Sequence, residues 1–363
     1  MKAKKLTRRD FVKKSAGIAL GTAAGSMMAG SSTSEVDSEP EVVSVIRIRN
    51  DRVDLAVEEA IDLLGGIETV AKNKGRIMLK PNLVTEDPKC TTNLEVVKTL
   101  ATIMQQSGKE VLIGEGSAAA QDFNVKDEVA YRTRNPKILN DMQRHVFNKL
   151  GCADLAEAIK APLINLHSGK MAEVMVPNGL VFDKIVLHQS LTDVDLLCSV
   201  PMMKTHNLAT VTLGMKNLIG LYPGTMYYSV RSWLHEKAAV AESPGIAFET
   251  IDMVRANKLG LTVIDGSTAM EGEGPVAGTL VPMNIIVAGT NPLATDLVAA
   301  DLMGISPQEV PTFVWAHRTG LGPGNVNDVE VRGEKPNDVR RCFKKPEVVS
   351  WESISDTFGA EEI

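Results

Sequence analysis

From residue 42 onward, short apolar runs alternate with amphipathic stretches, and this alternation restricts the available folds more than any other feature. "VVSVIRI" reads as a strand and "DLAVEEAIDLLGGIETV" as a helix, with apolar residues recurring at three- and four-residue steps. "GRIMLK" is a second strand halted by Pro81, "TNLEVVKTLATIMQQSG" a helix ended by Gly108, and "KEVLIGEGS" a third strand entering a glycine turn. Such a series predicts a mostly parallel sheet with covering helices, in Rossmann-like α/β layers. The same logic returns with "DVDLLCSV", "GLTVIDGS" and "MNIIVAG", which raises the prospect of two α/β halves. "DVDLLCSV" is expected to stop at Pro201, and "TVTLGMKNLIG" reads as helix-like. "MAEVMVPNGLVFDKIVL" reads as two strands around a turn. "NPLATDLVAADLMG" is a marked helix, with Asn291 as N-cap, Pro292 in the first turn and Gly304 at its end.

The expected divisions are a signal peptide over residues 1–30, a spacer over 31–41, an α/β domain over 42–333 and an extension over 334–363. A mainly helical insertion falls at about 121–160. A chain of 363 residues is long enough for a well-buried core. Residues 1–40 carry seven Lys/Arg against four Asp/Glu, which leaves −9 on the remainder of a chain whose formal charge is −6. That balance, with only 4% aromatic residues, argues against nucleic-acid or anionic-lipid partners. Cys90, Cys152, Cys198 and Cys342 are widely spaced, so neither a zinc ribbon nor an iron–sulfur cluster is expected. Their spacing assigns no disulfide.

"TRRDFVK" resembles the twin-arginine export signal, with Arg8 and Arg9 followed by Phe11 and Lys13. The apolar run after it, "SAGIALGTAAGSMMAG", is short and glycine-rich for a membrane span. The expectation is a periplasmic or secreted protein that uses the twin-arginine translocase and has no stable membrane anchor.

In open parallel sheets ligands bind where strands end and βα loops emerge. Here those ends carry Lys80 and Asn82; Glu115, Gly116 and Ser117; Lys204 and His206; and Asp265, followed by Glu271 and Glu273. Each has a plainer reading as well: Lys80 as a snorkelling side chain, Glu115 as a helix cap, the two later carboxylates as solvated. Lys204 and His206 fall on one side of an extended segment. Together they suit an anion, or a substrate carboxylate beside a histidine that moves a proton or ligates metal. Lys216, next to Asn217, lies in an apolar run where an unpaired ammonium is costly, which implies a carboxylate partner or an anionic ligand. His235, in "SWLHEK", reads equally as a surface residue.

"IMLKPNLV", "VLIGEGS", "VDLLCSVPMMKTH", "TLGMKNLIGLYPG", "VIDGSTAMEGEGPVAG" and "NPLATDLVAADLMG" occur in this order and resemble the family catalogued as domain of unknown function 362, from about residue 42 to 333. The resemblance marks Lys80, Asn82, Lys204, His206, Lys216, Asn217, His235, Asp265, Glu271 and Asp296. Many relatives carry a ferredoxin-like module with iron–sulfur cysteines, which this sequence lacks. The two α/β halves also resemble those of nickel-dependent lactate racemases, at the level of fold. The resulting expectation is an enzyme for an anionic small molecule or cofactor at the carboxyl edge of the sheet. His206, Lys204 and His235 would be catalytic, and Lys80, Asn82, Lys216, Asn217 and Glu115 would bind substrate. A divalent transition metal held by His206, His235, Asp265, Glu271 and Asp296 is part of the same expectation. The alternatives are a non-catalytic binding or accessory protein, and a redox partner without its own cluster.

Overall fold

The computed structural model describes residues 40–355; the twin-arginine segment and most of the spacer lie outside them. One mixed sheet of eleven strands takes strands from both stretches of the chain. Its main path runs Val329–Gly333, Glu41–Arg47, Ile285–Gly289, Leu259–Glu271, Leu196–Val200, Arg76–Pro81, Glu110–Glu115, Leu163–Asn165. Only Ile285–Gly289 runs against the other seven. The α/β expectation therefore holds, with a mostly parallel sheet.

Period-two alternation explains how this sheet is covered on both faces. Ile77, Leu79, Val111, Ile113, Cys198, Val200, Leu261 and Val263 pack on one face with Val57, Ile61, Val97 and Leu100 of the helices Val53–Asp62 and Leu94–Gln106. Met78, Leu112, Leu197, Ile264 and Val287 point the other way, onto the helices Ala247–Ala256, Pro292–Leu302 and Pro311–Arg318. The N-cap assignment is correct: the Asn291 side chain accepts from the Ala294 N–H, and Gly304 follows the helix at φ +71°.

One sequence expectation holds and two change. The strand Leu196–Val200 stops at Pro201 as expected, and a second strand, Met202–His206, follows it; both pair with Leu259–Glu271. Proline has no N–H to give, but its carbonyl accepts from the Asp265 N–H at 2.8 Å, which keeps the two strands together. The helix-like "TVTLGMKNLIG" opens as a short strand, Thr210–Thr212, that hairpins back on Met202–His206, and is helical only in its second half, through Gly214–Asn217 and the 3-10 turn Leu218–Leu221. Asp265 is not at a strand end, because its strand runs on to Glu271 and pairs with Thr279–Val281. The 121–160 insertion holds the helices Pro136–Lys149 and Cys152–Ala158 together with a small ribbon, Val125–Lys126 with Val129–Ala130. "MAEVM" and "KIVLH" form the expected antiparallel pair.

The four cysteines are free thiols. No helix among the described residues is long and apolar enough to cross a membrane.

Candidate functional site

At the carboxyl edge of the sheet lies a cavity of about 400 Å³. Its lining includes Lys80, Asn82, Glu115, His206, Lys216, Asn217 and His235, seven of the residues singled out by sequence. Parallel strands deliver Lys80 and Glu115 side by side, and the hairpin strand delivers His206. The turn Gly214–Asn217 supplies Lys216 and Asn217, and the helix Ser232–Val240 supplies His235.

The floor is a closed hydrogen-bond network. Lys80 Nζ, 1% exposed, donates to Glu115 Oε2 at 2.7 Å, Asn217 Oδ1 at 2.9 Å and the Pro81 carbonyl at 2.8 Å. Glu115 also accepts from the N–H groups of Leu83 and Gly116. Asn217 closes the network by donating to the Lys80 carbonyl and to Ser199 Oγ. All three Lys80 hydrogens are thus committed, so this residue braces the site and has none left for a ligand. Gly220 crosses so close that a Cβ there would sit 2.6 Å from Glu115 Oε1 and 2.8 Å from Lys80 Nζ.

Above this floor several groups remain open to the cavity. Lys216 Nζ makes no hydrogen bond or ion pair among the described residues. Burial, then the like charges of Lys204, Lys80 and Arg231, push its ammonium down to about 7. Asn82 also lines the cavity; its amide nitrogen donates to Asn217, while its buried Oδ1 has no hydrogen-bond partner among the described residues. His206 accepts the Leu208 N–H at Nδ1, 3.0 Å away, so its neutral ring carries hydrogen on Nε2. Burial and the charges of Lys216 and Lys204 hold His206 well below the usual histidine range. His235 has the opposite arrangement: Nδ1 lies 3.0 Å from Oε1 of the fully buried Glu249, whose other oxygen accepts from Ser243. A carboxylate there fixes hydrogen on Nδ1 and leaves the Nε2 lone pair free. One cavity therefore holds a histidine set to donate and a histidine set to accept.

Arg231, Glu249 and Trp351 escaped the sequence reading. Arg231 takes a left-handed φ of +58° and donates to the carbonyls of Gly116, Ser117, Gly220 and Ser229. With no carboxylate hydrogen-bonded to it, burial pushes its guanidinium down to about 10. Nothing in "YSVRSW" signals this. A signal for Glu249 did exist, since it and Asp252 interrupt the apolar side of the helix Ala247–Ala256. Asp252 receives the N–H groups of Leu180, Val181 and Phe182.

The structure does not bring the other expected residues to the cavity. Lys204 is buried beside it and gives its ammonium to the Cys90 carbonyl at 2.6 Å. Burial pushes it down to about 8. Of the five residues expected to share a metal, His206 and His235 line the cavity while Asp265, Glu271 and Asp296 do not, and among the described residues no three His, Cys, Asp or Glu side chains form a metal-binding group. Asp265 receives the Asn93 N–H and the Ser267 N–H and hydroxyl, and Glu271 receives the Lys344 N–H. Asp296 accepts from the N–H groups of Gly214 and Met215, at 2.7 and 2.9 Å, and so holds the turn that carries Lys216. At His206, metal ligation through Nε2 would require moving the hydrogen to Nδ1, where it would oppose the Leu208 N–H.

An α/β protein with a cationic, histidine-bearing cavity at its sheet edge is the class that fold and site define. The chain belongs to the family described as Domain of unknown function (DUF362), which matches residues 77–301. It is 27% identical over 266 residues to Thylakoid-associated protein sll1697 of Synechocystis sp. (strain ATCC 27184 / PCC 6803 / Kazusa), covering 72% of this chain and 74% of that protein. Among solved structures, the lactate racemase apoprotein from Thermoanaerobacterium thermosaccharolyticum is similar over 74% of this chain, at 12% identity and a TM-score of 0.41. A Thermotoga maritima protein is similar over 62%, at 15% identity and a TM-score of 0.34. The chain spans 57% and 54% of those two chains' lengths.

Proposed function

We propose that this protein is an enzyme that binds a small organic anion in the cavity and moves a proton on it. The observation that carries this reading is Lys216: an ammonium on the cavity wall with no anionic partner among the described residues. Four cations, Lys80, Lys204, Lys216 and Arg231, lie close enough to act on one another here, and Glu115, the carboxylate that acts on Lys216, is already paired with Lys80. An anionic ligand supplies the missing charge. The Nε2 lone pair of His235, backed by Glu249, is the group that takes a proton from the bound anion. The Nε2–H of His206 and the Lys216 ammonium stabilise the negative charge that then develops.

The sign of the pH dependence follows from Lys216. Its ammonium is charged below about 7 in the empty site, and a bound anion holds the proton more tightly. Affinity is therefore highest below that value, falls as pH rises through it, and binding above it takes up a proton. Calorimetric titration with inorganic phosphate and short carboxylates, in buffers of different ionisation enthalpy, checks this. Equal affinity at pH 6 and pH 8.5 for every anion would remove Lys216 as the anchor. For anions that bind, exchange of ligand C–H hydrogens with deuterium, read by NMR, reports turnover. His235→Gln is expected to keep the affinity and to lose exchange by about a hundredfold or more. Binding with no exchange even in the wild-type protein would favour the carrier reading over the enzyme.

The reading places this chemistry outside the cytoplasm. Its support is the pattern at Arg8, Arg9, Phe11 and Lys13, which lies outside the described residues. Replacing Arg8 and Arg9 by Lys is expected to retain the full-length chain in the cytoplasmic fraction, and an unchanged distribution on fractionation would argue against this route.

A further inference from the structure

Anion binding does not use the whole cavity. Lys216, Asn82 and His206 face one part of it, whereas Val84, Ala119, Leu208, Ile246, Val276 and Ile354 make its other walls apolar. The last of these walls comes from a strap at the end of the described chain, outside the 77–301 stretch that matches the family. The strap is pinned where Phe343 N–H meets the Met303 carbonyl and where Lys344 exchanges hydrogen bonds with Gly272 and Glu271. Val349 N–H then binds the carbonyl of Asn207, the neighbour of His206. Beyond it, the turn Trp351–Ile354 lays the Trp351 ring on His235, with centroids 4.9 Å apart and planes at 50°. Trp351, 5% exposed, and Ile354 complete the lining.

A free phosphate or acetate would leave most of a 400 Å³ space empty, and a polyhydroxylated acid would bury many of its hydroxyls against the apolar walls of Val84, Ala119, Leu208, Ile246, Val276 and Ile354. We propose, on the basis of the anion-binding reading above, that the ligand is a carboxylate with an apolar body, branched aliphatic or aromatic. In this arrangement Trp351 is a specificity-determining residue that the strap adds to the shared site. The carboxylate meets Lys216, and the body lies against the strap.

The test is a series of acids with one headgroup and growing bodies: acetate, butanoate, 4-methylpentanoate and 3-phenylpropanoate. Gluconate and inorganic phosphate serve as hydrophilic controls. Dissociation constants are measured calorimetrically at pH 6.5 on the full chain. In the wild-type protein, affinity should rise about fourfold for each methylene buried, with 3-phenylpropanoate at least a hundredfold tighter than acetate or gluconate. Trp351→Ala should flatten the series about tenfold at its large end and leave acetate within twofold, whereas Trp351→Phe should keep most of the slope. Affinity that ignores body size, or gluconate binding as tightly as 3-phenylpropanoate, would overturn the proposal while leaving anion binding intact. Absence of binding by every anion, phosphate included, would instead overturn the anion-binding reading, and this proposal with it.

Discussion

Replacing Lys216 by Met should make the protein more stable and nearly unable to bind anions. The two effects share one cause. Folding buries the Lys216 ammonium among like charges and pushes it from the ordinary lysine value of 10.5 down to about 7. Between those two pH values the unfolded chain holds a proton that the folded chain does not, so stability rises with pH across this window. The destabilisation is fully present below about pH 7 and absent above about 10.5. Met keeps the length of the side chain and removes the charge, so the variant should gain about 2 kcal/mol at pH 6 and nothing near pH 10.5. That figure is below what the full depression would give, because the ammonium lines a cavity that water can enter. Anion affinity at pH 6.5 should fall at least 30-fold, about 2 kcal/mol. Chemical denaturation at both pH values and calorimetric titration read the two effects independently. A variant that loses stability, or binds within threefold of wild type, would show that Lys216 has a protein partner after all.

The second large effect is expected at Glu115. This carboxylate is 2% exposed and answers Lys80, 1% exposed, while also receiving two backbone N–H groups. Glu115→Gln leaves the Lys80 ammonium without a counter-charge in the interior and should cost about 3–5 kcal/mol. Removing both charges together, as Lys80→Met with Glu115→Leu, should cost much less, because no unpaired ion remains. The denaturant midpoints of the single and double variants test this. If the single variant costs under about 1 kcal/mol, or no more than the double, the pair does not brace the floor as described.

How far the sequence revealed this arrangement depends on whether side chains or backbone carry the information. The sheet was legible because Ile77, Leu79, Val111 and Ile113 alternate with Met78 and Leu112 in a period only a two-sided strand requires. The second strand just beyond Pro201 was not, since its docking begins with the Pro201 carbonyl pairing with the Asp265 N–H, and carbonyls leave no mark in a sequence. The polar, glycine-rich run after Asp265 imitated a loop, because Ser267 and Thr268 sit on a partly exposed part of the strand. Of the charged residues read at strand ends, Lys80, Glu115 and His206 line one cavity, which Lys216 joins from its apolar run, while Lys204 lies buried beside it. The strand-end rule for Asp265 and Glu271, and the resemblance for Asp296, pointed to residues outside the cavity, because an acidic side chain looks the same whether a ligand or a backbone N–H will claim it. Here backbone N–H groups claimed all three. Arg231 and Trp351 reach the cavity from a left-handed turn and from a strap, and neither has a periodicity to betray it.

The strand Met202–His206, which starts just after Pro201, has a consequence for how such a chain can change length over time. Side chains alternate along Met202–His206, so one residue gained or lost before His206 would turn it away from the cavity and bring a neighbour in its place. Strands pair with this segment on both edges, so an insertion within it would also displace His206 from its partner Thr210. The strap opposite is tied at scattered points, and the stretches between those ties can lengthen without shifting the lysines or histidines. Insertions and deletions are thus barred from the wall that meets the charge and admissible on the wall that meets the rest of the ligand.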